Sequence, residues 1–180
     1  MKFFGTLKEA AAGWVKILRG AAGWEEHFRL SAAGLVTALA LFYFFAFLAV
    51  VLASMQVGVP TLQGFLDIMA VQTFWLVALV IGVYGTRFAV RSDAGVLRLF
   101  VPGIYGLIGY LILGSLISLI FGPLLPLLWL GLVFLFFRLG RVAGNWTNGV
   151  SLAFAILTVV LLVGVPISLY MLISPTLPAA

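Results

Sequence analysis

The chain has no cysteine, one histidine and only five acidic residues in 180, and each shortage removes a class of chemistry. Without cysteine there is no disulfide, no thiolate metal site and no thiol nucleophile, and the redox compartment stays open. General acid–base work needs titratable groups that converge in one pocket. Four of the six acids and histidine, Glu9, Glu25, Glu26 and His27, sit in the first thirty residues, and the others are Asp67 and Asp93. No HExxH, serine nucleophile elbow or P-loop is present, so neither an enzyme nor a bound cofactor is expected. The two acids beside His27 suggest a metal. Adjacent positions fan around a helix in steps of about 100°, however, so they read as a solvated collar and no metal site is expected. Charged residues make up 8% of the chain, far below the roughly one quarter of a soluble globular domain.

What is there instead is apolar sequence, 64% hydrophobic residues with a mean hydropathy of +1.27. Five long runs carry it: Ala32 to Ser54, Phe65 to Thr86, Leu99 to Phe121, Pro123 to Phe137 and Val150 to Ile173. All ten Lys and Arg residues lie before the first run, between the second and third, or between the fourth and fifth. Basic residues are retained on the cytoplasmic side during insertion, which predicts five spans with the N-terminus inside and the C-terminus outside. The expected fold is all-α: a polytopic five-helix transmembrane bundle with an N-terminal interfacial amphipathic helix. Its expected divisions are a cytoplasmic amphipathic interfacial segment at 1–30, the bundle at 31–174 and a short external tail at 175–180. The basic N-terminus is not read as a signal peptide, because the first apolar run is too long and starts too late.

Thr6 to Glu9 has the pattern of a capping box, predicting a helix start. From there Phe3, Phe4, Leu7, Ala11, Trp14, Val15 and Leu18 recur at spacings of three and four, giving one apolar face. Trp14 is expected at headgroup depth, with Lys8, Lys16 and Arg19 contacting the membrane surface. The alternative is that this face packs on the cytoplasmic ends of the bundle. The net charge of +5 is expected to meet anionic lipid headgroups. It brackets apolar spans and forms no continuous patch with base-stacking aromatics, so nucleic acid is not an expected partner.

The first run is apolar on every face and reads as a lipid-contacting anchor. Asp67 and Gln72, near the outer start of the second run, are the candidate polar site; the plainer reading makes Asp67 a water-facing structural residue. Small residues at Gly114, Ser118 and Gly122 make a smooth stripe on the third run, which is expected to be the buried central helix. Ala78, Gly82 and Thr86 make a matching stripe on the second, so these two helices are expected to touch. On this reading Gly114→Leu loosens the bundle. The fourth run is short, because fifteen residues rise only about 22 Å against a hydrocarbon core of about 30 Å. Either the helix continues to Val142 with Arg138 snorkelling to the interface, which is favoured, or the turn around Gly122 to Pro126 is re-entrant. Pro166 predicts a kink in the last span.

The five spans, the Trp-bearing amphipathic segment Leu7 to Arg19, the Pro- and Tyr-containing third span Val101 to Tyr110, the Pro turn Gly122 to Pro126 and the basic connector before the last span together resemble the Yip (Ypt-interacting protein) membrane proteins and their bacterial relatives. The likeness lies in topology; the DLYGP-like motif is absent and no family residue carries over as a site. The resemblance implies a non-enzymatic scaffold or accessory protein of the bacterial cytoplasmic (inner) membrane, acting through contacts with lipid and with a membrane-protein partner or a second copy. The alternative is a small transporter or channel component for an uncharged or lipidic substrate.

Overall fold

The computed structural model describes residues 2–120 and 125–173, and among them every regular element is helical. The elements are α1 (Lys2–Arg19), a 3-10 turn at Glu25–His27, α2 (Ala32–Val57), α3 (Leu62–Val90), α4 (Val96–Ile120), α5 (Leu125–Val142) and α6 (Asn148–Ile173). Four of these helices, α2, α3, α4 and α6, are long and apolar enough to cross a membrane. The fourth expected run became α5, which continues to Val142 and has 18 residues, a rise of about 27 Å. Gly122, the turn residues 121–124 and the tail 174–180 lie outside the described residues, as does the side chain of Ser118.

Local chemistry sets the helix starts. Ser31 caps α2 by accepting from the Gly34 N–H at 3.2 Å, and Thr61 caps α3 by accepting from the Gly64 N–H at 3.1 Å. Each satisfies an orphan donor of the first turn. The α1 helix departs from expectation. It begins before Thr6, so Thr6 to Glu9 is mid-helix and the Glu9 carboxylate faces a different partner.

Helix α4 is the centre of the bundle. It packs on α2, α3 and α5, while α6 packs on α3 and α5, and α1 lies across α4 and α5. Leu99, Val101, Ile104, Leu107 and Ile108 of α4 are all at most 2% exposed. Burial is concentrated toward the end of the bundle where the basic connectors lie. On α3 the first buried residue is Ala78, about 24 Å along the helix from Leu62. Among the described residues the bundle is thus more tightly joined at its basic end than at the other. α2 is less of a free anchor than its sequence suggested. Ala38, Leu41, Phe42 and Ala46 form a buried stripe, while Val36, Phe44 and Phe47 face outward.

Candidate functional site

The basic end is fastened by side chains that reach across long stretches of sequence. Trp14 of α1 is 8% exposed, and its indole Nε1–H donates to the Pro102 carbonyl of α4 at 3.1 Å. A Cβ on Gly106 would stand 2.8 Å from Trp14 Cζ2, so the indole fits only because α4 has no side chain there. Trp14 is therefore covered by protein. The apolar side of α1 faces protein, since Ala10 and Ile17 are buried beside it while Phe4 and Val15 are exposed.

Two arginines hold connectors. Arg138 of α5 donates to the Ile17 carbonyl at 3.3 Å, an acceptor near the end of α1 that also takes the Gly20 N–H at 3.1 Å. Arg98 of α4 pairs with Glu25 of the 3-10 turn and lies 5.6 Å from the Trp24 ring centroid, a cation–π geometry. Across the other connectors, Trp146 Nε1–H donates to Ser92 Oγ at 3.0 Å, and Arg141 donates to the Trp146 carbonyl. Lys16, expected to touch headgroups, donates to the Gly23 carbonyl at 3.1 Å. Lys8 and Arg19 are exposed, with no hydrogen bond or ion pair found for either among the described residues.

Between α1, the 3-10 turn and α2 lies a crevice of about 650 Å³. His27 Nδ1 stands 2.8 Å from Glu9 Oε2 at one edge, with Glu26 and Arg29 beside it and Tyr105 of α4 in its wall. The second ring nitrogen of His27, Nε2, is buried and has no hydrogen-bond partner among the described residues. The Thr37 hydroxyl in the same wall donates to the Ala33 carbonyl of its own helix at 2.9 Å. The collar expected around His27 is thus partly internal. Its Glu9 partner comes from eighteen residues away, which spacing within 24–30 could not show. The pair is partly solvated, with Glu9 at 61% exposure, and so holds the turn to α1 by no more than about 1 kcal/mol. Among the described residues no three His, Cys, Asp or Glu side chains converge on a point where an ion could sit.

The other expected residues fall elsewhere. Asp67 is exposed on the first turns of α3, where Gln63 Nε2–H donates to its Oδ1 at 2.9 Å. Gln72 is half-buried, and its Oε1 is buried with no partner among the described residues. Neither joins the crevice. Asp93 lies in the α3–α4 connector at the opposite end of α3, so Asp67, Asp93 and His27 do not meet. The small-residue stripe of α3 is buried as expected, with Ala78, Gly82 and Thr86 all at low exposure, and α3 and α4 touch as expected, but the close contact over Gly82 comes from α6. A Cβ on Gly82 would collide with Thr158 Oγ1 and lie 3.4 Å from Phe154. Gly114 is roomy, because a Cβ there would meet only Leu128 Cδ1, at 3.8 Å. The close glycines of α4 are Gly103, against Leu79, and Gly106. Gly13 carried an unread signal: a glycine on the apolar side of an amphipathic helix marks a close approach, and here Phe28 occupies the space.

No protein-family model, curated protein or solved structure matches this chain.

Proposed function

We propose that the chain is a non-enzymatic scaffold or accessory protein of the cytoplasmic membrane, Yip-like in design, with five spans, the N-terminus inside and the C-terminus outside. It acts through helix packing and contacts with lipid or protein. The observation that carries this reading is the fastened basic end. Trp14, Arg98, Arg138 and Trp146 tie α1 and three connectors into one rigid face, and the polar groups there serve mainly to hold elements together. A preorganised surface loses little entropy when a partner docks, and the exposed Lys8, Arg19, Arg29 and Arg91 make it cationic.

The antiparallel order of α5 contacts supports a fifth pass. Going forward along α5, Trp129 meets Tyr110 of α4 and Phe136 meets Phe154 of α6, then Gly140 meets Ser151. The partner number on α6 falls as that on α5 rises, which returns α5 to the basic end where α6 starts. Residues crossing this way bury their backbone polar groups in helix hydrogen bonds, as a bilayer demands.

Crosslinking in intact membranes, followed by identification of co-purifying proteins, tests the scaffold reading directly. Discrete partners joined through α1 or the connectors are expected. A second measurement addresses transport, the reading favoured by the unpartnered Gln72 Oε1. Cysteines placed in turn along the inner face of α4 should resist water-soluble thiol reagents from Leu99 to Leu111. Continuous labelling through that seam would overturn the scaffold in favour of a pathway.

A further inference from the structure

Helices α2 and α3 both lean on α4, and two side-chain contacts join them away from the basic end. There Tyr43 Oη and Thr73 Oγ1 are 3.1 Å apart, and the Phe47 and Phe65 rings are 6.1 Å apart. Toward the basic end they diverge and leave a trough of about 360 Å³ floored by α4. Leu35 and Leu39 form one wall, Val80 and Tyr84 the other, and Phe100 and Ile104 the floor. Apart from the Tyr84 hydroxyl, every lining side chain is apolar. Tyr84 is 52% exposed and Val80 40%, so the trough opens sideways, toward where lipid would lie. From Leu76 to Tyr84 it runs about 12 Å along α3, within the roughly 15 Å of one leaflet, half of a hydrocarbon core of about 30 Å.

Val80, Tyr84 and Arg87 follow one another on α3 at spacings of four and three, which places them on one face, and Arg91 caps the end of the helix in a left-handed conformation. Arg87 thus stands one turn beyond the mouth of the trough. Its Nε is buried and has no hydrogen-bond partner among the described residues; the same holds for Arg138 Nε, but Arg98, Arg138 and Arg141 each give a terminal guanidinium nitrogen to a protein oxygen, and no such bond is found for Arg87 among the described residues. A buried guanidinium nitrogen left unpaired is costly. The nearby acid is Asp93, which borders the same surface recess as Arg87 and Arg91 but is in neither of the two ion pairs found among the described residues. Two cations facing one acid leave a local charge that favours an anion.

We propose that this trough is a binding site for one anionic glycerophospholipid, with an acyl chain lying between α2 and α3 and the phosphate held by Arg87, assisted by Arg91. A guanidinium matches a phosphate with two parallel hydrogen bonds, and the apolar trough begins one helical turn away, as the headgroup and chain of a single lipid require. The site names a lipid partner for the membrane reading above and rests on that reading's orientation.

The test uses the full chain in neutral phosphatidylcholine nanodiscs, with phosphatidylglycerol added and bound lipid counted by native mass spectrometry. Wild type is expected to retain phosphatidylglycerol over phosphatidylcholine by about tenfold or more, the scale of a charge-assisted bidentate contact. Arg87→Gln should abolish that preference. Val80→Trp, which fills the trough and leaves all charges in place, should do the same. Arg19→Gln, at an exposed cation on α1, should keep it. If Arg87→Gln unfolds in the neutral lipid, Val80→Trp alone decides. No preference in wild type, a preference surviving Val80→Trp, or equal loss in Arg19→Gln would each overturn the proposal. So would crosslinks placing a second copy or another protein's helix between Leu39 and Val80. Failure here leaves the crosslinked partners and the dry α4 seam untouched, so it is separable from failure of the scaffold reading.

Discussion

Replacing Gly106 by alanine should loosen α1 from the bundle, and the loss should depend on Trp14. The added Cβ would stand 2.8 Å from Trp14 Cζ2 and 3.5 Å from two further indole carbons. The flat ring cannot fold away, so it must slide and stretch its 3.1 Å bond to the Pro102 carbonyl. Overpacking of this kind costs about 1–3 kcal/mol, and a weakened hydrogen bond adds about 1 kcal/mol. Alanine recovers about 1 kcal/mol through its better helix propensity, so a net loss of roughly 1–3 kcal/mol is expected. Trp14→Ala removes the obstacle. In that background Gly106→Ala should be neutral or stabilising by up to about 1 kcal/mol, giving a coupling of about 1–4 kcal/mol. Denaturant titration in mixed micelles, followed by circular dichroism, measures all four corners of the cycle, and hydrogen exchange reports whether the α1 amides lose protection first. Equal costs of Gly106→Ala with and without Trp14 would refute the interlock.

Gly82→Ala should destabilise by about 2 kcal/mol because its Cβ would collide with Thr158 Oγ1, with partial rescue by Thr158→Ala; Gly114→Ala should cost nothing in the same micelle assay. Arg138→Met should fray the last turn of α1, losing about 1 kcal/mol with the bond to the Ile17 carbonyl, seen as faster exchange of amides near Gly20. Asp67→Asn should shift stability by no more than about 0.5 kcal/mol, since its one side-chain partner is the exposed Gln63 on its own helix; a larger loss would show that Asp67 holds more than its surface position suggests.

The helical class, the limits of α2, α3 and α6, and the burial of α4 were legible in hydropathy and small-residue spacing. Partner choice was not. Ala78, Gly82 and Thr86 announce a smooth face, but two helices offered matching surfaces, and α6 took the contact because Thr158 and Phe154 fill the space over Gly82. The amphipathic pattern of α1 likewise named an apolar side without saying whether lipid or protein would cover it. Trp14 was captured by the bundle because α4 supplies both a gap at Gly106 and a carbonyl acceptor at Pro102.

Composition and the spacing of apolar runs determine, without reference to anything else, that this chain builds helices fit for a membrane. Each run partitions into lipid largely on its own free energy, and a backbone without water must bond within its own helix. Tertiary structure decided which cations are spent on the fold and which remain available. A charge count treats Arg87, Arg98 and Arg138 alike, yet their roles depend on groups brought near by packing. Arg98 meets Glu25 across seventy-three positions and Arg138 meets Ile17 across more than a hundred, whereas Arg87 has no side-chain hydrogen bond or ion pair found among the described residues.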